Sequence, residues 1–231
     1  SLGVCANAWA DDLPSPAVQI GRYIDGGTEA HATGGNAVAI GNKTYATGAE
    51  SVAIGYDVSA TDWSNAIGWA ASAYGKNSNA FGSGSEALGE ANAFGCSSEA
   101  IGIGSNAIGT MSYAEEDYSN AFGLGAYADK VSSTAVGTGA KATGEYSLAI
   151  GNSSVAISET TAGLAYDFES QPIASGKYAV AIGTGAEAIN EKSNAFGKDA
   201  KASGVSSIAF GTGAEASGEN SVAFGKDAEA S

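Results

Sequence analysis

The sequence is poor in the residues on which most catalytic and metal sites depend. Its 231 residues include one histidine, His31, and two cysteines, Cys5 and Cys96. A histidine relay or a multi-histidine metal site needs more than one such side chain. Two cysteines far apart in sequence indicate a fold that does not rely on a disulfide. We therefore expect no enzymatic activity, no metal ion and no cofactor.

Basic residues, proline and long apolar runs are scarce as well. Lys and Arg number 10 against 25 Asp and Glu, which gives a net charge of −15. Such an acidic chain repels phosphate groups, so nucleic acid is a poor partner. No apolar run is long enough to span a bilayer as a helix. Only 3 prolines accompany 34 glycines, and this balance excludes collagen and a proline-rich linker.

The sequence contains a repeat instead. Near the end of the chain an Ala-x-Gly triplet begins every seven residues, and two triplets make a unit of fourteen. A fixed period of this kind indicates a solenoid. The triplets in this stretch start at Ala195, Ala202, Ala209, Ala216 and Ala223.

The residues inside one unit predict strands. Val222 and Phe224 share one face of the run 221–225, and Ser221 and Ala223 share the other, because side chains alternate along a strand. Gly225 then permits a turn. Two short strands and two tight corners per unit predict an all-β fold, a parallel β-roll (a solenoid) with turns of about fourteen residues. Each strand would pair with its equivalent one unit along.

Large apolar residues recur in the first strand of each unit, and we expect them to hold the hydrophobic core. The alternation does not decide which strand face points into the coil and which points toward an axis shared with other copies. The ten core candidates are Val52, Ile54, Ile67, Phe81, Phe122, Ile150, Ile182, Phe196, Phe210 and Phe224.

Asparagine replaces the valine of the first strand in several units. Stacked turns allow such amides to hydrogen-bond along a ladder or to the backbone of a corner. We interpret them as a structural device and not as a site. These residues are Asn65, Asn79, Asn92, Asn106, Asn120 and Asn194.

An N-terminal segment, residues 1–16, precedes the repeat. Its first ten residues end in Ala8-Trp9-Ala10, a pattern typical of the end of an export signal. The alternative is an ordinary terminal segment that packs on the first turn. In either case we expect the repeat to occupy residues 17–231.

One interruption of the repeat is clear. Ala156 and Ala174 are eighteen residues apart, which is one unit plus four. We therefore expect residues 159–173 to leave the roll as a loop insertion. Loops displayed on a rigid scaffold often carry binding residues, and the alternative is a tolerated insertion that folds back on the roll.

Aromatic residues interrupt the small-residue pattern at the expected corners and in the loop. We interpret them as candidate ligand contacts, with packing against a corner as the alternative for each. The acidic run 115–117 is interpreted as solvated charge and not as a pair of glycosidase carboxylates. The main candidate contacts are Trp63, Trp69, Tyr113, Tyr118, Tyr166 and Phe168, and Tyr74, Tyr127 and Tyr146 are further candidates.

The repeat resembles a known family. The runs Ser51-Val52-Ala53-Ile54-Gly55, Ser147-Leu148-Ala149-Ile150-Gly151 and Asn220-Ser221-Val222-Ala223-Phe224-Gly225 are similar to the NSVAIG-type head repeats of trimeric autotransporter adhesins, the YadA-like heads. The resemblance covers residues 17–231, nearly the whole chain.

This resemblance implies a left-handed roll, assembly as a homotrimer and a place on the bacterial cell surface. It also implies a function in attachment to host extracellular matrix, host cells or other bacteria. Attachment to the outer membrane would run through regions outside this sequence, since no stalk or barrel follows Ser231.

Two further interpretations stay open. A stand-alone solenoid that binds ice or sugar would carry a row of threonines at one place in every turn. Thr138, Thr184 and Thr212 fit such a row, but Lys198 and Lys226 occupy equivalent positions. The chain would otherwise be a spacer that displays another adhesive domain.

Overall fold

The computed structural model describes residues 17–21, 29–152 and 171–231. The predicted N-terminal segment, residues 1–16, lies outside them. The chain forms two compact units, an N-terminal unit of residues 1–111 and a C-terminal unit of residues 112–231. In both units the described residues form short β-strands joined by tight turns.

The strands of the N-terminal unit are β1 (Val18–Ile20), β2 (His31–Ala32), β3 (Val38–Ala46), β4 (Val52–Ala60), β5 (Asn65–Trp69), β6 (Ser72–Ala73), β7 (Asn79–Phe81), β8 (Glu86–Ala87), β9 (Asn92–Phe94), β10 (Glu99–Ala100) and β11 (Asn106–Ile108).

The strands of the C-terminal unit are β12 (Tyr113–Ala114), β13 (Asn120–Phe122), β14 (Tyr127–Ala128), β15 (Thr134–Val136), β16 (Lys141–Ala142), β17 (Leu148–Ile150), β18 (Ile173–Ala174), β19 (Val180–Ile182), β20 (Glu187–Ala188), β21 (Asn194–Phe196), β22 (Lys201–Ala202), β23 (Ile208–Phe210), β24 (Glu215–Ala216), β25 (Val222–Phe224) and β26 (Glu229–Ala230).

Each strand pairs in parallel with its equivalent one turn along. In the N-terminal unit Asn79 of β7 lies opposite Asn92 of β9. In the C-terminal unit Asn194 of β21 lies opposite Ile208 of β23. The predicted all-β parallel solenoid with a step of about fourteen residues is therefore confirmed.

Two sheets run along each unit. The first sheet contains the strands that open each repeat, for example β5, β7 and β9. The second sheet contains the shorter strands that close it, for example β6, β8 and β10. In the N-terminal unit β3 and β4 continue through the corner and belong to both sheets, because they pair along residues 38–46 and 52–60.

The register shows where extra chain is inserted. Leu148 of β17 pairs with Val180 of β19. The two residues are thirty-two positions apart in sequence, so this turn contains eighteen residues more than the usual fourteen. Most of the predicted loop lies outside the described residues. Ile173, however, belongs to β18 and pairs with Lys141, so the loop prediction was wrong at this residue. Ala174, the next residue, is fully buried between the sheets. Its burial holds Ile173 in the strand, where it can pair with the previous turn.

Alanine fills the interior of the roll. Ala121, Ala126 and Ala128 are 0% exposed, and so is Ser119. The same pattern recurs along both units, where the second residue of each first strand from β3 onward is a buried alanine. The space between the two sheets is therefore filled mostly by methyl and hydroxymethyl groups, and Thr44 and Val58 are among the largest side chains buried there.

The ten large apolar residues predicted to form the core do not lie in this interior. Phe210 and Phe224 are 48% and 76% exposed. The remaining eight are half-buried on the outer face of the first sheet. The prediction failed because the narrow space between the sheets favours small side chains, so the alanine beside each large residue takes the inward position and the large residue, on the other face of the strand, points outward.

Glycine is required at the corner that follows each first strand. Gly82 has φ +142°, and a Cβ there would lie 2.2 Å from the carbonyl oxygen of Gly95 in the next turn. Gly84, two residues on, has φ +64°, and its nearest neighbour would be Ser97 Oγ at 3.7 Å. Lys43 and Asp57 take the same left-handed conformation at the equivalent corners.

We expect Gly82→Ala to lower the stability of the chain by on the order of 1–3 kcal/mol, because the backbone of two neighbouring turns must move apart. The control is Gly84→Asn in the same corner. We expect it to change stability by about 0.5 kcal/mol or less, since asparagine tolerates this conformation. Thermal unfolding of both variants measures the difference. Equal melting temperatures for the two variants would contradict the requirement.

Candidate interaction surfaces

The outer face of the first sheet is apolar in both units, and we call it the apolar face. In the N-terminal unit the rings of Phe81 and Phe94 stack with centroids 4.9 Å apart. In the C-terminal unit the ring of Phe210 lies 5.9 Å from Phe196 and 5.1 Å from Phe224. A continuous row of large apolar side chains on a surface is unusual for a protein that acts as a single copy.

Asparagines occupy the apolar face in place of valine at several turns. Within the N-terminal unit each amide nitrogen donates to the next amide oxygen: Asn65 to Asn79 at 2.8 Å, Asn79 to Asn92 at 2.8 Å and Asn92 to Asn106 at 2.9 Å. We call these four residues the asparagine ladder. The predicted ladder is thereby confirmed.

The second predicted role of these asparagines is confirmed as well, because some bond to the backbone of a corner. In the C-terminal unit Asn120 donates to the carbonyl oxygen of Tyr118, and Asn194 donates to that of Lys192, each at 2.9 Å. Asn106 also donates to the carbonyl oxygen of Gly104.

The outer face of the second sheet is polar. In the C-terminal unit Glu187 and Lys201 lie opposite each other in neighbouring turns, with Nζ and Oε2 3.7 Å apart. Tyr127 donates its hydroxyl to Glu115 Oε1 at 2.9 Å. Burial, followed by this hydrogen bond and the charge of Glu115, raises the pKa of Tyr127 to about 12. The phenol therefore stays protonated at neutral pH.

Aromatic residues stand at several of the corners that precede a first strand, one in the N-terminal unit and three in the C-terminal unit. Trp63, Tyr118, Tyr146 and Tyr178 all have φ between +52° and +58°. Asparagine takes the same conformation at this corner in other turns, at positions 36, 77 and 220. A bulky side chain is strained there. We call these four aromatic residues the corner aromatics.

The corner aromatics are exposed and carry charged neighbours. Tyr146 and Tyr178 stack with their centroids 5.2 Å apart. Lys177 Nζ lies 5.5 Å from the Tyr178 ring and binds Glu145 Oε2 at 2.7 Å, and this carboxylate raises the pKa of Lys177. In the N-terminal unit Lys76 Nζ lies 4.1 Å above the ring of Trp63. The rings of Trp63, Tyr146 and Tyr178 therefore each lie within cation–π distance of a lysine of the same chain.

The predicted contact residues do not converge on one site. Trp63 and Tyr118 are corner aromatics, whereas Trp69 lies at the end of β5 near the opposite corner. Tyr113 lies on the outer face of the second sheet, half-buried beside Tyr127. Tyr166 and Phe168 lie outside the described residues.

Sequence reasoning named Tyr146 but not Tyr178, and it missed the stacked pair that the two form. The signal was present, because each tyrosine directly precedes the Ser or Ala that opens a first strand. The inserted chain between β17 and β18 hid it, since it separates the two tyrosines by thirty-two residues although they belong to neighbouring turns.

Among the described residues no group of three or more His, Cys, Asp and Glu side chains is placed to hold a metal ion. In the same residues, no helix has the length and apolar character needed to cross a membrane.

Comparison with protein families finds the YadA head domain repeat. This family model matches residues 32–57, 100–126, 128–154 and, in overlapping copies, 174–228. These matches cover more than half of the chain. A comparison with curated protein sequences finds no significant match.

Comparison with solved structures finds the crystal structure of the collagen-binding domain of the Yersinia adhesin YadA. The two chains are 21% identical, and the match covers 93% of this chain and 75% of that one. The TM-score is 0.26, too low for the match to add to the family assignment. On the strength of the repeats that match the family model, the chain belongs to the YadA head domain repeat family.

Proposed function

We propose that this chain forms the head of a trimeric adhesin on a bacterial surface, where it attaches the cell to host matrix, host cells or other bacteria without catalysis. Membership in the YadA head family identifies an adhesin-type head domain. The proposal includes the trimer, the left-handed coil, the location at the outer membrane and the targets of attachment. The observation that carries it is the apolar face.

The thin interior of the chain is the first reason for assembly. Alanine methyl groups supply little apolar area in comparison with Phe, Ile or Val. Covering one such large side chain contributes about 1.5–3 kcal/mol. The chain exposes these side chains on one face in every turn, so packing copies face to face recovers the stabilisation that the single roll lacks.

The polarity of the two sheets is the second reason. The second sheet carries glutamate and lysine at its outward positions, and these remain in water at little cost. Only the apolar face gains from being covered. Three copies around one axis would each bury this face and leave the polar sheet to the outside, as the family resemblance implies.

The alternative of an ice-binding solenoid is disfavoured by a specific observation. Lys198 and Lys226 interrupt the threonine row, and each forms an ion pair with the next residue, Asp199 or Asp227. Charged pairs at these corners break the regular hydroxyl array that an ice surface would need.

The corner aromatics are the best candidates for contact with a target. Four bulky residues in a strained conformation, where asparagine fits without strain, indicate a requirement other than stability. Tyrosine and tryptophan supply large contact areas in protein interfaces. Several weak contacts per chain, multiplied over three chains and many copies per cell, would give firm attachment.

We expect the purified chain to have a mass near three times 22.6 kDa by light scattering, and to keep this mass on dilution. Ile182→Glu places a charge on the apolar face and should yield single chains, because a buried unpaired carboxylate is costly. The matched control is Ile173→Glu, the same substitution on the second sheet, where the next turn already carries Glu187. It should leave the mass unchanged.

A monomeric parent chain would overturn the proposed trimer. A trimeric Ile182→Glu variant would show that copies associate through a surface other than the apolar face.

We expect the double variant Tyr146→Asn and Tyr178→Asn to keep its fold and to melt at an equal or higher temperature, because asparagine relieves the strain at this corner. Binding to immobilised matrix proteins, with collagen as the first probe, and to cultured epithelial cells should fall by about tenfold or more. Tyr74→Asn is the control, since Tyr74 is 51% exposed but is not a corner aromatic. Undiminished attachment by the double variant would remove these residues from the binding surface.

A further inference from the structure

We propose that the asparagine ladder of the N-terminal unit sets the axial register in which copies of this chain pack against one another. This inference rests on the proposed trimer, in which the apolar faces are covered by partner copies. It adds a function that the ladder does not need within a single chain.

A repetitive apolar face cannot define a register by shape alone. On the apolar face the outward residues of β3 and β4 are the same, valine at 38 and 52 and isoleucine at 40 and 54. Neighbouring turns of a parallel roll are separated by about 4.8 Å. If every turn carried Val and Ile, a partner shifted by one turn would meet nearly the same surface, and only the contacts at the two ends would be lost.

The asparagine ladder breaks this equivalence. The outward residue changes from Val52 to Asn65 between β4 and β5, and asparagine then continues through Asn106. All four asparagines are half-buried in the single chain and lie beside Ile67, Phe81, Phe94 and Ile108 on the apolar face. Covering this face would remove the four amides from water.

The amides have hydrogen-bonding capacity beyond the ladder. Asn79 donates one amide hydrogen to Asn92 and accepts one from Asn65. A primary amide has two hydrogens on its nitrogen and two lone pairs on its oxygen. Asn79 and Asn92 therefore each retain one amide hydrogen and one oxygen lone pair for a group outside the ladder. In the matched register that group is the equivalent asparagine of a partner copy.

A shifted register leaves this capacity unsatisfied. A displacement by one turn places an asparagine at one end of the ladder against Val52 of the partner, where the amide is covered without a new hydrogen bond. Larger displacements place more amides against apolar side chains. Single polar residues in apolar helical interfaces set register in the same way, at a cost in stability.

The test replaces all four ladder residues by valine, as Asn65→Val, Asn79→Val, Asn92→Val and Asn106→Val in the full chain. The control is Asn194→Val in the C-terminal unit. Asn194 donates a hydrogen bond to the backbone of its own corner. The residues opposite it in the neighbouring turns are Val180 and Ile208, so it belongs to no run of asparagines.

Register is measured by photo-crosslinking between copies. Phe81→p-benzoylphenylalanine places the crosslinker on β7 of the apolar face. This chain is assembled with a nitrogen-15-labelled copy, and mass spectrometry counts only the crosslinks that join labelled to unlabelled chain. In the parent and in the Asn194→Val control we expect the crosslinks to lie on β5, β7 and β9 of the partner.

In the fourfold valine variant we expect the crosslinks to spread to β3, β4 and β11, while the mass remains that of three chains and the melting temperature rises. An unchanged crosslink distribution in this variant, or a spread distribution in the parent, would overturn the register function. A lower melting temperature with unchanged crosslinks would show that the ladder serves only the single chain. A monomeric parent would instead overturn the trimer, before the register could be measured.

Discussion

The narrow space between the two sheets is the constraint on which the rest of the molecule depends. With turns of about fourteen residues and tight corners, the inward positions hold mostly alanine and serine, with Thr44 and Val58 among the largest side chains there. The large apolar side chains must therefore point outward from the first sheet. The stability that most proteins gain from a thick core has to come within this chain from backbone ladders, and in the proposed trimer also from association between chains.

The same constraint explains the corners. Two neighbouring turns approach so closely after each first strand that glycine is the residue that fits, as the geometry of Gly82 shows. At the corner before the first strand the backbone takes a left-handed conformation but leaves room for a side chain. The chain places aromatic rings at several of these corners. The proposed contact residues are thereby separated from the apolar face proposed to associate.

Much of the fold was predictable from the sequence, because the period of fourteen and the alternation within Ser221–Gly225 determine short parallel strands in register. The inward face was not predictable in this way. Alternation defines two faces but does not identify the inner one, and the usual association of large apolar residues with a core favoured Phe224 over Ala223. The space between the two sheets determines which strand face points inward, and this space is known only once the turns are stacked.

The candidate contacts were predictable in part, for a related reason. Trp63 and Tyr118 stand out in sequence as large residues within a small-residue repeat. The pairing of Tyr146 with Tyr178 depends on which turns become neighbours, and the insertion between β17 and β18 conceals this neighbourhood. The asparagine ladder was recognisable because its members recur at nearly constant spacing.

The insertion between β17 and β18 has a consequence for how such a protein changes over generations. The ladder resumes with Leu148 opposite Val180 as if no residues had been added. Each turn depends only on the turns beside it, so the length of one excursion is independent of the pairing elsewhere. A lineage can lengthen, shorten or exchange such a segment while the scaffold that carries it is inherited unchanged.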